Sequence, residues 1–242
     1  MWFWWQKIKT KLGLGTQTAA VQLDQHTQQQ LIDSAPLIPG DQPLLSSPLL
    51  VFDLETTGLN TRTDTVLSIG AVKIQPMKGI DLGNSFYQVL DIAVDLAGES
   101  QLIHGLTQKD LAAGCAPRQA LLDFLNYSKN HVWLAFHAEF DRRMLKNAAV
   151  QHLGLFIDPQ PIDVAYLAPL LFPELDPSKA GLDHWLNAFH LPILGRHNAT
   201  ADALATAELI MILLHKAQCV GYDTWGELQK ACLQQRQLKR ML

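Results

Sequence analysis

The sequence predicts an α/β fold with a mixed β-sheet covered by helices, and three observations support this prediction. Three apolar segments rich in β-branched and aromatic residues come first, at residues 48–55, 66–74 and 86–90, with turn residues between them. A fourth such segment, at residues 131–136, lies between segments with helical spacing of apolar residues. Successive strands followed by helices that alternate with a strand are typical of α/β or α+β chains with a mixed sheet.

Helices are predicted after the third strand. Pro117 suits the first turn of a helix whose apolar face includes Leu121 and Leu125. The other helices are expected at residues 138–153, 162–171, 182–190, 199–218 and 224–240. The last of these carries a face of Gln, Lys and Arg, so we expect it to lie outside the catalytic core. We therefore predict a domain at residues 47–218 and a C-terminal helical extension at residues 219–242.

Residues 1–46 differ in composition from the rest of the chain. Trp2, Phe3, Trp4 and Trp5 precede three lysines, and a stretch rich in Gln, Thr, Pro and Ser follows. This composition predicts a Trp-rich arm and linker. Aromatic residues beside lysines suit docking on a protein partner or on a membrane surface. The tryptophans would equally well cover an apolar patch of the same chain or of a partner subunit.

The overall composition excludes several classes of protein. The 242 residues are 48% hydrophobic and 17% charged, as in a globular protein with a sizeable core. A formal net charge of -4 excludes a surface that holds nucleic acid by charge alone, because phosphate contacts need clustered Lys and Arg. The 3 cysteines have no C-x-x-C spacing, so we expect neither a disulfide framework nor a zinc site, and we predict a cytoplasmic location. No apolar run is long enough to span a membrane.

The stretch from Leu49 to Gly58 places two carboxylates, Asp53 and Glu55, at the end of an apolar strand. Residues two apart on a strand point to the same face, so the two charges repel each other and burial penalises both. A divalent cation would remove both penalties. For an Asp-x-Glu pair alone, the simpler interpretation is a solvated strand end whose acids keep the edge soluble.

Two further acids and a histidine stand out. Asp141 begins a helix directly after a strand, a common place for a functional group, although helix capping alone would explain it. Asp202 lies on an alanine-rich helical turn that would let a helix approach a sheet closely. His197 precedes Asp202 by five residues, which on a continuous helix would turn it about 140° away. We therefore expect His197 on a loop ahead of the helix, free to act as a base.

These motifs together resemble the DnaQ-like (DEDDh) family of 3′–5′ exonucleases, which includes the epsilon proofreading subunit of bacterial DNA polymerase III. The resemblance covers about residues 48–217. It rests on the segment from Phe52 to Leu59 and on His197 with Asp202, with weaker matches around His104, Asp141 and Asp163. The family commonly has His-Asn where this chain has Phe136-His137. That departure bears on the hydrogen bonds beneath Asp141 and on nucleotide preference, but not on the metal ligands.

The resemblance implies a ribonuclease H-like fold with a central mixed five-stranded sheet flanked by helices. It also implies that Asp53, Glu55, Asp141 and Asp202 hold two Mg²⁺ or Mn²⁺ ions, and that His197 takes a proton from the attacking water. The product would be a nucleoside 5′-monophosphate. The terminal nucleotide would be held by Thr56, Thr57, Gly58, Leu59, His104 and Phe140. Alternatively, Leu59 and Phe140 are core residues and His104 is a turn histidine.

The expected substrate is the 3′ end of a nucleic acid, with single-stranded DNA favoured over RNA or short oligonucleotides. A polymerase is one candidate partner for the Trp-rich arm. A different class of function is a non-catalytic interaction module on the same fold. The presence of all four acids and of His197 argues against that alternative.

Overall fold

The computed structural model describes residues 40–94, 96, 104–175, 181–192 and 195–241, so nearly all of the predicted N-terminal arm lies outside the described residues. The described part contains a 5-stranded sheet in the order β3-β2-β1-β4-β5. Its strands are β1 (Leu49–Thr56), β2 (Val66–Gln75), β3 (Gly79–Val89), β4 (Val132–Ala135) and β5 (Ile162–Asp163). The first three strands are antiparallel neighbours, whereas β4 runs parallel to β1 and β5 parallel to β4. The sheet is therefore mixed, as predicted.

Helices cover both faces of the sheet. They are α1 (Gln108–Ala112), α2 (Pro117–Ser128), α3 (Ala138–Leu153), α4 (Val164–Leu171), α5 (Leu182–Ala188), α6 (Ala199–Cys219) and α7 (Trp225–Met241). Helices α2 and α3 share one hydrophobic cluster with one face of the sheet. Helices α4 to α7 share a second cluster with the opposite face. None of the helices in the described ranges is long and apolar enough to cross a membrane.

The side chains of β1 alternate between the two faces. Leu50, Phe52 and Leu54 pack in the cluster with α2 and α3, whereas Leu49 and Val51 pack in the cluster with α6. Because side chains on a strand alternate with a period of two, Asp53 and Glu55 continue the row of Leu49 and Val51. The two carboxylates therefore lie on the face that α6 covers.

The structure corrects two sequence-based boundaries and adds one short helix. Residues 162–171 were expected to be one helix, but Ile162 and Asp163 form β5 and pair with Leu134 and Ala135. A strand of two residues has no room for an alternating pattern, so its sequence looks like the start of the helix. Strand β3 begins at Gly79 rather than at residue 86, since its first seven residues include only two apolar ones, Ile80 and Leu82, and none of the seven is buried. The short helix α1 was not predicted.

The C-terminal helix is part of the core at its beginning. Trp225 and Leu228 are fully buried in the cluster that also contains residues of α4 and α6. The segment before β1 is attached to the same place, because the N–H of Leu44 donates to the carbonyl of Asp223 (2.9 Å) and the N–H of Trp225 to Gln42 (3.1 Å). The first turns of this helix therefore belong to the hydrophobic core, and its place outside the catalytic core stays a prediction. The division of the chain at residue 218 stays a prediction.

Candidate active site

Three carboxylates meet where β1 ends beneath the first turn of α6. Asp53 and Glu55 come from β1, and Asp202 comes from α6. One carboxylate oxygen of each lies within 4.8 Å of those of the other two. The sequence separates Asp202 from the other two acids by almost 150 residues, so only the fold brings them together.

Gly70 on β2 allows α6 to approach the sheet this closely. It is the direct partner of Asp53 in the antiparallel register of β1 and β2. A Cβ atom at Gly70 would lie 2.2 Å from the backbone of Ala199 and Thr200, far inside van der Waals contact. The hydroxyl of Thr200 also donates to the carbonyl of Phe86 on β3 (3.2 Å). The missing side chain therefore determines where Asp202 lies over the sheet, and this glycine was not among the residues predicted from the sequence.

The fourth predicted acid, Asp141, is buried on the first turn of α3, with 3% of its surface exposed. It is not one of the three clustered carboxylates, but its negative charge raises the pKa of Asp53. Burial raises the pKa of Asp141, and the nearby backbone N–H groups of Asp141 itself and of Leu54 oppose this rise. Since Leu54 lies between Asp53 and Glu55, the start of α3 lies beside the acidic end of β1.

Asp163 is an additional acid beside Asp141. It caps α4 by accepting a hydrogen bond from the N–H of Ala165 (3.1 Å). Burial raises the pKa of Asp163, and the backbone N–H groups of Ala165, Ala138 and His137 beside its carboxylate oppose this rise. Helix α3 has no side-chain cap from His137, so the Asp163 carboxylate caps α4 and also lies beside the N-terminus of α3. From the sequence, Asp163 belonged only to a weaker family match and was not predicted as a site residue.

Phe136 and His137, which stand where the family commonly has His-Asn, still allow a left-handed backbone directly before α3. His137 has a left-handed conformation, with φ 60° and ψ 41°. Among residues other than glycine, this conformation is enriched in Asn, Asp and His. His137 therefore fits the backbone position that the family fills with Asn, and its ring packs edge-on against Phe136 at 4.8 Å.

His197 lies on the loop before α6, as predicted. It is exposed and has a left-handed backbone (φ 64°), and its N–H donates to Oδ2 of Asp202 (3.1 Å). The neighbouring Arg196 forms ion pairs with Asp202 and with Asp183 of α5. Burial lowers the pKa of Arg196, but the hydrogen bonds and charges of Asp202 and Asp183 outweigh burial and raise it overall.

Burial and mutual repulsion raise the pKa values of Asp53 and Glu55. Burial and the charge of Asp202 raise the pKa of Glu55 from 4.5 to about 7, against the opposing charge of Arg196. Burial, followed by the charges of Asp141, Glu55 and Asp202, raises the pKa of Asp53 well above its ordinary value. Closely spaced oxygen donors that repel one another are a ligand set suited to a hard divalent cation. The residues present therefore fit a divalent metal ion.

The predicted nucleotide-binding loop is held by internal hydrogen bonds. The hydroxyl of Thr56 donates to the carbonyl of Gly58 (2.8 Å), and that of Thr57 to Oδ1 of Asp64 (3.1 Å). A Cβ atom at Gly58 would lie 2.7 Å from Oδ2 of Asp64. The hydroxyl hydrogens of both threonines are thus used within the loop. Leu59 projects from it with 86% of its surface exposed, so it is not a core residue.

The other two predicted substrate residues are partly enclosed. Phe140 packs at the edge of the cluster formed with α2 and α3. His104 is buried, and its Nδ1 accepts a hydrogen bond from the N–H of Leu106 (3.1 Å). Its Nε2 has no hydrogen-bond partner in the described ranges of the chain. Burial lowers the pKa of His104.

The sequence model of the exonuclease (RNase_T) family matches residues 50–210, which include all four acids and His197. The chain belongs to the exonuclease family. This exonuclease is 29% identical over 203 residues to a DNA polymerase III PolC-type protein of Caldanaerobacter subterraneus, covering 84% of this chain and 14% of the relative. It is also 29% identical over 194 residues to a DNA polymerase III subunit epsilon-like protein of Rhodobacter capsulatus, covering 77% and 27%. The exonuclease therefore spans only a minor part of these relatives.

Solved structures share the fold of this exonuclease. The E. coli Exonuclease I complex with a dT13 oligonucleotide superposes with a TM-score of 0.59 at 17% identity, over 72% of this chain and 42% of that one. The nuclease domain of 3′hExo, a DEDDh family member bound to rAMP, superposes with a TM-score of 0.59 at 14% identity, over 70% and 92%. These likenesses confirm the predicted ribonuclease H-like fold, and the family match confirms the predicted exonuclease.

Proposed function

We propose that this exonuclease removes nucleoside 5′-monophosphates from DNA 3′ ends by two-metal-ion hydrolysis of the phosphodiester bond. The convergence of Asp53, Glu55 and Asp202 within 4.8 Å carries the proposal, since it assembles oxygen ligands that charge repulsion alone would separate. Asp141 lies beside this group and interacts electrostatically with Asp53. His197 lies on the adjoining loop and is exposed to solvent.

Each residue has a role that follows from its position. Asp53 and Glu55 would hold metal ions from a rigid strand, while Asp202 and Asp141 would complete the ligand set from two helices. When bound, two Mg²⁺ or Mn²⁺ ions would stabilise the charge on the attacking and leaving oxygens. His197 would accept the proton of the attacking water, because its loop lies beside Asp202 and its ring is exposed.

The terminal nucleotide would meet the loop that follows β1. Leu59 is the exposed apolar group of this loop and would pack against the terminal base. Because the hydroxyl hydrogens of Thr56 and Thr57 are used within the loop, its backbone, including Gly58, would make the polar contacts. Phe140 and His104 would line the side of the terminal nucleotide that faces away from this loop. Apolar packing and metal contacts tolerate any base, which suits an enzyme that trims ends.

The names of the relatives favour DNA as the substrate, and a polymerase as a partner, since they are DNA polymerase III proteins. RNA is the second candidate, because the similar 3′hExo domain is bound to rAMP. The predicted arm contacts with a protein or a membrane concern residues outside the described ranges and stay predictions. The cytoplasmic location also stays a prediction.

Degradation of matched single-stranded DNA and RNA oligomers, each labelled at the 5′ end, tests the proposal in Mn²⁺. We expect stepwise shortening from the 3′ end and release of 5′-monophosphates, with DNA degraded faster. Shortening from the 5′ end would contradict the polarity, and faster loss of RNA would favour the second candidate. Absence of any degradation by the pure protein would support the non-catalytic alternative.

His197→Ala tests the assignment of the base. We expect turnover to fall about 10²- to 10⁴-fold, because a general base is removed, while calorimetry shows unchanged Mn²⁺ binding. The matched control is His215→Ala, which removes an exposed histidine further along α6. Full turnover in His197→Ala would refute the role of His197.

A further inference from the structure

Arg196 connects two helices at the edge of the acidic site. Its Nε lies 2.5 Å from Oδ1 of Asp183 on α5, and its Nη1 contacts Oδ1 of Asp202 on α6. The Arg196 side chain is 21% exposed, compared with 58% for Asp183 and 10% for Asp202. The guanidinium therefore has a solvated partner at one end and a buried partner at the other.

Asp202 is held at both of its carboxylate oxygens. Oδ1 contacts Arg196, and Oδ2 accepts the hydrogen bond from the N–H of His197 (3.1 Å). Arg196 and His197 are consecutive, so both contacts bind the loop before α6 to the carboxylate of Asp202. The ion pair between Arg196 and Asp183 links the same loop to helix α5. The position of the His197 backbone thus depends on the guanidinium beside it.

The charge of Arg196 also acts on the acidic cluster. It lowers the pKa values of Asp53 and Glu55, against the larger opposing effects of burial and the neighbouring acids. A cation bound by Asp202 would share that carboxylate with the guanidinium and would be repelled by it. Arg196 therefore has two opposing effects. It orients Asp202 and the His197 loop, and it lowers the affinity of the acidic cluster for cations.

We propose that Arg196 is a positioning residue that holds Asp202 and the His197 loop in their working arrangement, and that it moderates the affinity of the site for divalent cations. This inference rests on the proposed function of the acidic cluster. The geometry requires arginine, because a planar guanidinium offers separate nitrogens to two carboxylates, whereas a lysine ammonium is a single point charge. Charge and positioning can therefore be separated by mutation.

Two variants at position 196 separate the two effects. Arg196→Met removes both the charge and the bridge, so we expect Mn²⁺ to bind about tenfold more tightly while kcat falls at least about tenfold. Arg196→Lys retains the charge and loses the bridge, so we expect Mn²⁺ affinity within about twofold of wild type and a similar fall in kcat. KM for single-stranded DNA should change little in either variant.

Two more variants complete the test. Asp183→Asn removes one of the two carboxylates that pair with Arg196 and leaves Asp202. The charge of Arg196 then acts more strongly on Asp202, so we expect weaker Mn²⁺ binding, the opposite of the change in Arg196→Met. The matched control is Arg143→Met, because Arg143 is an ion-paired arginine on the exposed side of α3. We expect it to alter neither Mn²⁺ affinity nor kcat. Calorimetric titration of each protein with Mn²⁺ in the absence of nucleic acid measures the affinity, and thermal unfolding shows that each variant is folded.

The results distinguish failure of this inference from failure of the proposed function. Wild-type protein that neither binds Mn²⁺ nor degrades DNA would refute the proposed function and, with it, this inference. Active wild type with unchanged or weaker Mn²⁺ binding in Arg196→Met would overturn the inference alone. A raised KM with unchanged kcat in Arg196→Met would also overturn it, since Arg196 would then contact the substrate instead of positioning the site.

Discussion

Replacement of Gly70 by alanine should displace the helix that carries Asp202. The new Cβ atom would lie 2.2 Å from the carbonyl carbon of Ala199 and the nitrogen of Thr200. Ordinary contacts between such atoms are about 3.5 Å, so the start of α6 must move by roughly 1 Å or more. Overpacking of this kind costs about 1–3 kcal/mol of stability. A shift of about 1 Å in a catalytic group costs about 100-fold in rate.

The assay compares Gly70→Ala with Gly83→Ala, the matched control on strand β3. A Cβ atom at Gly83 has its nearest neighbour at 3.9 Å, an ordinary contact with Asp81. We expect Gly70→Ala to lose about two orders of magnitude in kcat/KM on single-stranded DNA and to unfold several degrees lower than wild type. Gly83→Ala should remain near wild type in both measurements. Wild-type activity and melting temperature in Gly70→Ala would refute the argument that this glycine determines the position of Asp202.

Two further predictions concern the acids. In EDTA, we expect the free energy of unfolding to fall as pH rises from 4.5 to about 7. Glu55 has its ordinary pKa of 4.5 in the unfolded chain but a pKa of about 7 in the folded protein, so over this range the unfolded chain has already lost a proton that the folded protein still holds. The difference corresponds to roughly 3 kcal/mol. The raised pKa values of Asp53 and Asp141 act in the same direction. Stabilisation by Mn²⁺ should grow over the same range, since metal ligands must be ionised, and thermal unfolding at several pH values with EDTA or Mn²⁺ measures both trends. A pH-independent effect of Mn²⁺ would contradict the assignment of Glu55 as a ligand. Asp163→Ala should destabilise the protein by about 1–2 kcal/mol and lower kcat, because α4 loses its N-cap and α3 loses the negative charge beside its N-terminus. The control Asp158→Ala removes a partly exposed partner of Arg142 and should cost less than about 1 kcal/mol, so equal effects in chemical denaturation would contradict this role of Asp163.

The sequence by itself determined the features that depend on neighbouring residues. The alternation along residues 48–55 is a local pattern, and it predicted both the strand and the shared face of Asp53 and Glu55. The spacing between His197 and Asp202 is also local, and it predicted that His197 lies on a loop ahead of a helix. A strong first motif at residues 52–59 then led to the family that the comparisons confirm.

The tertiary structure decided what depends on residues far apart in the chain. Gly70 is important because Ala199 and Thr200 lie against it, and Asp163 because the start of α3 lies beside it. Arg196 gains its role from Asp183, which precedes it by 13 residues and belongs to helix α5. A single sequence records the identity of each residue but not which distant residue it contacts, and these contacts exist only after the chain has packed.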